Sequence, residues 1–257
     1  MVAVPDASPL FSASAMVLAA GRGERMRPLT DTTPKPLLPV RGRPLMQWTL
    51  EALAAGGFRR IVVNTAWLGE QVEQRFGAAP AWQADAPLAL AYSHEGRDFG
   101  DALETAGGIV RALPLLGDIF WVAAGDVFAP DFVFSPKAVD RFRASDALAH
   151  LWLVPNPAHN PRGDFGLAED GRALNLPAGD EGPRYTFSTI GLYRAAFFAA
   201  PLCGIPPGNP AGVKAPLAPL LRAAMDNGFV SAELYTGAWT DVGTPERLAQ
   251  LNTTATP

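Results

Sequence analysis

The feature that most constrains this chain is the order in which short apolar runs and amphipathic stretches alternate over its first 154 residues. Residues 15–19 (Ala-Met-Val-Leu-Ala) make an apolar run of strand length that opens onto a glycine-rich turn, the pattern of a buried first strand. The next stretch, 21–39, carries Pro28, Pro34, Pro36 and Pro39 and cannot be a continuous helix. A helix is predicted from about Pro44, with Leu45, Trp48, Ala52 and Leu53 at helical spacing and a stop at Gly56-Gly57. Further strands are predicted at 60–64, 88–93, 119–123 and 147–154, separated by helices at 69–76, 105–112 and 136–144. That alternation predicts an α/β fold with a doubly wound, mostly parallel sheet.

From about Asn156 the pattern changes. Short extended pieces at 165–168, 173–176 and 185–193 lie among Gly, Pro and Asp, and predict a small antiparallel insertion or lid on the sheet. Helices at 216–227 and 244–251 follow, with 230–234 and 238–241 extended between them. The organisation expected is a flexible arm at 1–14 and a single domain at 15–257, dividing at about 154–155.

Composition narrows the function. Hydrophobic residues at 48% and charged ones at 18% are those of an ordinary globular protein. A formal net charge of −4 argues against a nucleic-acid partner, which needs a broad basic face. The one cysteine, Cys203, cannot form an internal disulfide and reads as a buried or incidental thiol. The N-terminus lacks a basic start, and no run of about 18 apolar residues occurs, so neither export nor a membrane partner is expected and the compartment predicted is cytoplasmic.

Against this acidic background one segment is basic. In Leu18-Ala-Ala-Gly-Arg-Gly-Glu-Arg-Met-Arg-Pro-Leu-Thr30, closing with Pro34-Lys35-Pro36, the cations Arg22, Arg25, Arg27 and Lys35 face only Glu24 and Asp31. Gly21 and Gly23, directly after a strand, let backbone N–H groups approach a phosphate chain. The glycines alone fit a solvated turn equally well. Neither better-known phosphate loop is present: no Gly-Lys-Ser/Thr triplet occurs, and the dinucleotide fingerprint fails at Met26 and at Asn64.

The segment Leu18–Met26 followed by Pro34-Lys-Pro-Leu-Leu-Pro39 closely resembles the signature loop of the sugar-1-phosphate nucleotidyltransferases, and the resemblance runs along most of the chain from residue 15. It implies a Rossmann-like, GT-A-like core with a nucleotide-binding part at about 15–154 and a sugar-binding part at about 155–257. By the same resemblance, Leu18, Ala19, Ala20, Gly21, Arg22, Gly23, Glu24, Arg25 and Lys35 would hold the nucleotide. Glu104, Thr105 and Gly108, in Leu-Glu-Thr-Ala-Gly-Gly, would line the base pocket; Thr105 also suits a helix N-terminus.

Two aspartates match the family's metal carboxylates. Asp126 follows an apolar strand in Trp-Val-Ala-Ala-Gly-Asp, and Asp241 stands in Trp-Thr-Asp-Val-Gly-Thr, where a turn or helix-capping role is the alternative. The resemblance implies Mg2+ as cofactor, with Lys35, Arg25 and Asp126 as the catalytic set. Mg2+ takes one or two carboxylates and completes its shell with water and substrate phosphates. Gly166, Glu181 and Thr189 are assigned to the sugar. Many relatives carry Lys after that Glu, and here Gly182 stands in its place, with Lys214 or Arg184 as candidate replacements. His94, His150 and His159 show no metal-ligand spacing.

Chain length narrows the resemblance further. Larger relatives add a C-terminal β-helix, and this chain of 257 residues contains no hexapeptide repeats. It is most similar to the branch that transfers UMP from UTP to N-acetylmuramate α-1-phosphate in cell-wall sugar recycling. Mannose-1-phosphate guanylyl transfer and glucose-1-phosphate thymidylyl or uridylyl transfer are the alternatives. A catalytically silent nucleotide-sugar sensor is the alternative of another class, and it would be expected to lack Lys35, Asp126 or Asp241. The partners implied are a nucleoside triphosphate and a sugar-1-phosphate, with the protein a monomer or small homo-oligomer.

Overall fold

A computed structural model describes residues 13–80, 87–177, 179–180 and 182–253. Most of the predicted arm, 1–12, and the predicted sugar contact Glu181 lie outside the described residues. The chain begins with β1 (Ala13–Leu18), a proline-rich run of 3-10 turns, the short pair β2 (Pro39–Val40) and β3 (Arg43–Pro44), and α1 (Leu45–Ala55). Then come β4 (Arg60–Thr65), α2 (Gly69–Phe76), β5 (Ala89–His94), α3 (Glu95–Phe99), α4 (Glu104–Ala112), β6 (Leu116–Ala124), β7 (Val127–Phe128), α5 (Pro136–Arg143) and β8 (Ala149–Val154). The remainder is β9 (Phe165–Leu167), β10 (Ala173–Leu174), β11 (Arg184–Arg194), α6 (Leu217–Asp226), β12 (Val230–Leu234), β13 (Thr240–Asp241) and α7 (Pro245–Thr253).

The main sheet carries β5, β4, β1 and β6 side by side and parallel, as the alternation predicts. Because a strand points successive side chains to opposite faces, neighbouring residues of β1 feed different cores. Met16 packs with Val62, Val122, Ile109 and Leu221, under α4 and α6. Ala15 and Val17 pack with Ile61, Val63, Trp121, Leu50 and Val72, under α1 and α2. Both faces are thus covered, and the strands read as nearly continuous apolar runs for that reason.

The antiparallel strands are continuous with this sheet. β11, 11 residues long, is the link: its start pairs with β9, its middle with β8 and its end with β6. A register shift between Phe187 and Gly191 marks a bulge, and within it Thr189 sits at a φ of 63°. A β-branched residue there is strained, and bulges re-aim side chains beside sites. β12 adds parallel to β8.

Predicted and observed elements agree within one to three residues at most boundaries. The exceptions are α3, the ribbon β2–β3 and β7, which are too short to show periodicity; β13 falls within the extended piece predicted at 238–241.

Candidate active site

β1 and β6 end side by side, and the loops leaving them form the mouth of a cavity of about 700 Å³. Leu18, Ala20, Gly21, Glu104, Thr105 and Asp126 line it, and Asp164, Phe165, Phe187 and Thr189 line it from the later part of the chain. Ligands in open α/β sheets bind at such C-terminal strand ends.

The signature loop is shaped by its own contacts. Gly23 has a φ of 66°, and a Cβ there would stand 3.1 Å from Thr30 Cγ2 and 3.3 Å from Lys35 Cβ. Thr30 Oγ1 donates to the Gly23 carbonyl at 2.8 Å. Arg22 stacks on the Trp67 ring at 3.5 Å and donates to the Thr30 carbonyl, so its side chain braces the loop. Arg27 pairs with Asp31 at 2.7 Å. Lys35 is buried and reaches Asp126 Oδ2 at 2.5 Å. Arg25 is exposed and has no ion-pair or hydrogen-bond partner among the described residues, which leaves its charge open to an incoming anion.

Asp126 and Asp241 meet through β7 and β13. In that antiparallel pair Asp241 stands opposite Val127, and Val242 N–H donates to the Asp126 carbonyl at 2.9 Å. The ribbon therefore brings side by side the backbones at two aspartates 115 positions apart in the chain. Asp241 Oδ1 lies 2.5 Å from Arg247 Nη1 and 2.8 Å from His159 Nε2. The Arg25 guanidinium belongs to the same group, since a Cβ on Gly243 would sit 3.2 Å from its Nη2. His159 carries no signal of this role in the sequence and is recruited by the fold, whereas Arg247 follows Asp241 by six residues in one motif stretch.

Behind the mouth a buried polar chain ties the signature loop to α4. Ala19 N–H donates to Asn64 Oδ1 at 2.8 Å, Asn64 Nδ2 donates to Glu95 Oε1 at 2.7 Å, and Leu103 N–H donates to Glu95 Oε2 at 2.7 Å. Glu95 is fully buried, and burial pushes its carboxyl above the usual range, with the hydrogen bonds from Leu103 and Asn64 opposing. Asn64, which excluded the dinucleotide fingerprint, is thus a structural link. At the start of α4 the Ala215 carbonyl takes the N–H groups of Ala106 and Gly107 at 2.9 and 3.1 Å, so Thr105 is free of a capping bond and lines the cavity. Gly108 sits against Glu95 and Asn64, where any Cβ would collide with the Glu95 carboxylate.

On the later side of the cavity, Asp164 accepts from Phe187 N–H at 2.8 Å and from Asn160 Nδ2 at 3.2 Å. Gly166 does not line the cavity: it is buried in β9, where a Cβ would stand 2.8 Å from Leu176 Cδ1. Lys214 is spent on Asp101 at 2.5 Å, and Arg184 on the carbonyls of Leu176 and Pro177. Cys203 is buried, away from this cavity. Asp164 lies in the stretch Gly163-Asp-Phe-Gly166 that suggests a sugar pocket, whereas Arg222, another lining residue, sits outside the short motifs and was not legible as a site residue.

Asp126, beside Lys35, and Asp241, beside Arg247 and His159, carry the oxygen donors that suit a hard divalent cation such as Mg2+, whose shell phosphate oxygens and water would complete. Among the described residues no cluster of three or more acidic, His or Cys side chains offers an all-protein cage. None of their helices is long and apolar enough to cross a membrane.

Residues 14–193 match the family model described as nucleotidyl transferase. The chain is 48% identical over 242 residues to N-acetylmuramate alpha-1-phosphate uridylyltransferase of Neisseria meningitidis serogroup B, covering 92% of this chain and 95% of that one. It is 32% identical over 196 residues to UTP–glucose-1-phosphate uridylyltransferase of Synechocystis sp., covering 70% of this chain and 48% of the relative. A Bacillus anthracis crystal structure, described as a glucose-1-phosphate thymidylyltransferase, superposes with a TM-score of 0.74 over 93% of both chains at 21% identity. With the signature loop, the paired aspartates and the sheet in agreement, this chain belongs to the nucleotidyl transferase family, among the enzymes of sugar-1-phosphate nucleotidyl transfer.

Proposed function

We propose that the enzyme transfers UMP from UTP to N-acetylmuramate α-1-phosphate, giving the UDP-sugar and pyrophosphate. The observation that carries the reaction type is the Lys35–Asp126 pair beside the signature loop, with Asp241 on the strand that pairs with the one following Asp126. The identity to the Neisseria relative over nearly the whole of both chains supports the choice of substrates.

In this reading the triphosphate lies along Gly21–Arg25, with its base toward Glu104, Thr105 and Gly108, and the acceptor sugar enters past Asp164, Phe187 and Thr189. Asp126 and Asp241 would hold Mg2+, which when bound supplies charge neutralisation at the phosphates. An oxygen of the sugar phosphate forms a new bond to the α-phosphorus in line with the bond to the leaving pyrophosphate, which breaks. That oxygen is already ionised, so no general base is required, and positioning with charge stabilisation does the work. Lys35, held by Asp126, and the unpaired Arg25 meet the charge that builds on the transferring phosphoryl group. The role that follows is cell-wall sugar recycling in the cytoplasm.

The test crosses UTP, GTP, dTTP and CTP with the 1-phosphates of N-acetylmuramate, N-acetylglucosamine, glucose and mannose, reading pyrophosphate release with Mg2+. The expected result is fastest release from UTP with N-acetylmuramate α-1-phosphate. A different best pair would overturn the substrates and leave the reaction standing. Nucleotide binding with no release from any pair would favour a silent sensor.

A further inference from the structure

The cavity at the strand ends is acidic. Glu95, Glu104, Asp126 and Asp164 line it, and among the described residues Arg222 is the one basic side chain that does. Both proposed substrates are anions. Their phosphates find cations at the mouth, in Lys35 and Arg25, neither of which lines the cavity interior. Arg222 is therefore placed for something other than the phosphates.

Its position is specific. Leu217, Ala218, Leu221 and Arg222 fall on the face of α6 turned to the cavity, at helical spacing. Arg222 also lines a second cavity, bounded by Arg162, Gly182 and Arg184, so it stands where the two spaces join. That second space includes neither Asp126 nor any residue of the signature loop.

The side chain is pre-set for an anion. Its guanidinium stacks over Phe165 at 5.1 Å, and Nη1 donates to Asn175 Oδ1 at 2.8 Å. Asn175 is itself fixed, because its Nδ2 donates to both carboxylate oxygens of Asp226 at 3.0 and 3.1 Å. Arg222 is thus held by a ring and a neutral amide. Among the described residues it makes no ion pair, although Asp164 lines the same two spaces. Its other N–H donors form a fork suited to a carboxylate. Of the other cations nearby, Arg184 is bound to two carbonyls, Lys214 to Asp101, and Arg162 lines only the second space.

We infer that Arg222 is a specificity residue that binds a carboxylate on the acceptor sugar, and so selects sugar-1-phosphates carrying an acidic substituent. The inference rests on the acceptor proposed above. N-acetylmuramate differs from N-acetylglucosamine by a lactyl ether that ends in a carboxylate, so the two acceptors form a matched pair.

The experiment measures kcat/KM with UTP for the 1-phosphates of N-acetylmuramate and N-acetylglucosamine, in the wild type, Arg222→Met and Arg222→Lys. The wild type is expected to prefer the muramate. In Arg222→Met the ratio of the two values should fall by about tenfold to 150-fold, the worth of one hydrogen bond to a charged group. Most of that fall should appear in KM, because the carboxylate is remote from the reacting phosphorus, and Arg222→Lys should restore part of the ratio. A wild-type preference that persists unchanged in Arg222→Met overturns this inference alone. A wild type that uses both acceptors equally overturns the acceptor reading along with it. If Arg222→Met does not fold, the same ratio in Arg222→Lys decides, with an unchanged value counting against.

Discussion

At the scale of single residues, Glu95 is the group whose chemistry the sequence concealed most completely. It is buried, accepts one hydrogen bond from Asn64 and one from Leu103, and joins the signature loop to α4. Burial raises its pKa from the ordinary 4.5, so the folded protein holds the proton more tightly than the unfolded chain. Stability from this group is then greatest below about 4.5 and declines as pH rises through the higher folded value. Glu95→Gln removes that slope and one of the two acceptors. The variant should lose about 1–3 kcal/mol at pH 5, with a smaller deficit at pH 8. Urea unfolding at the two pH values measures this, and a deficit that does not shrink would rule it out.

At the scale of elements, α4 shows what two adjacent glycines achieve inside a helix. Glycine weakens a helix by about 1 kcal/mol relative to alanine, so Gly107 and Gly108 must be repaid by packing. A Cβ on Gly107 would stand 2.5 Å from the Val213 carbonyl oxygen and 3.1 Å from Ala215 N. Ala215 in turn receives the first N–H groups of the helix. Gly107→Ala should therefore destabilise the protein by roughly 1–3 kcal/mol despite its better helix propensity, seen as a lower urea midpoint; a raised midpoint would refute the packing argument. The helix itself was legible at 105–112. What no local pattern carried was the partner of its N-terminus, which comes from residue 215. The same limit explains the site. Lys35, Asp126 and Asp241 announce themselves because short motifs surround them. Asn64, Asp164 and Arg222 reach the cavity, and His159 reaches Asp241, through long-range pairing that leaves no local trace. The pairing of β7 with β13 is the clearest case: the extended piece at 238–241 was legible, but its two-residue partner has no period to read.

At the scale of the whole molecule, the cavity has walls from both ends of the chain: β1, α4 and β6 supply one side, and β9, β11 and α6 the other. A ligand that touches both sides stabilises them together by mass action. UTP with Mg2+ at about 100 times its dissociation constant should add about 2.7 kcal/mol, raising the melting temperature by roughly 5–10 °C. UTP with EDTA should give a clearly smaller rise. Equal rises with and without the metal would remove Asp126 and Asp241 from metal binding.

The route of β11 bears on how the gene can be cut. A fragment ending at Val154 keeps β6 but loses β11, its neighbour on one side, and keeps β8 without either strand that pairs with it. Two apolar strands with bare backbone edges invite other chains to dock. Expressed alone, the first part would be expected in inclusion bodies. Supplied with the second part in trans, it has an edge built to receive it, which makes the loop after β8 a natural point at which to test split-enzyme complementation.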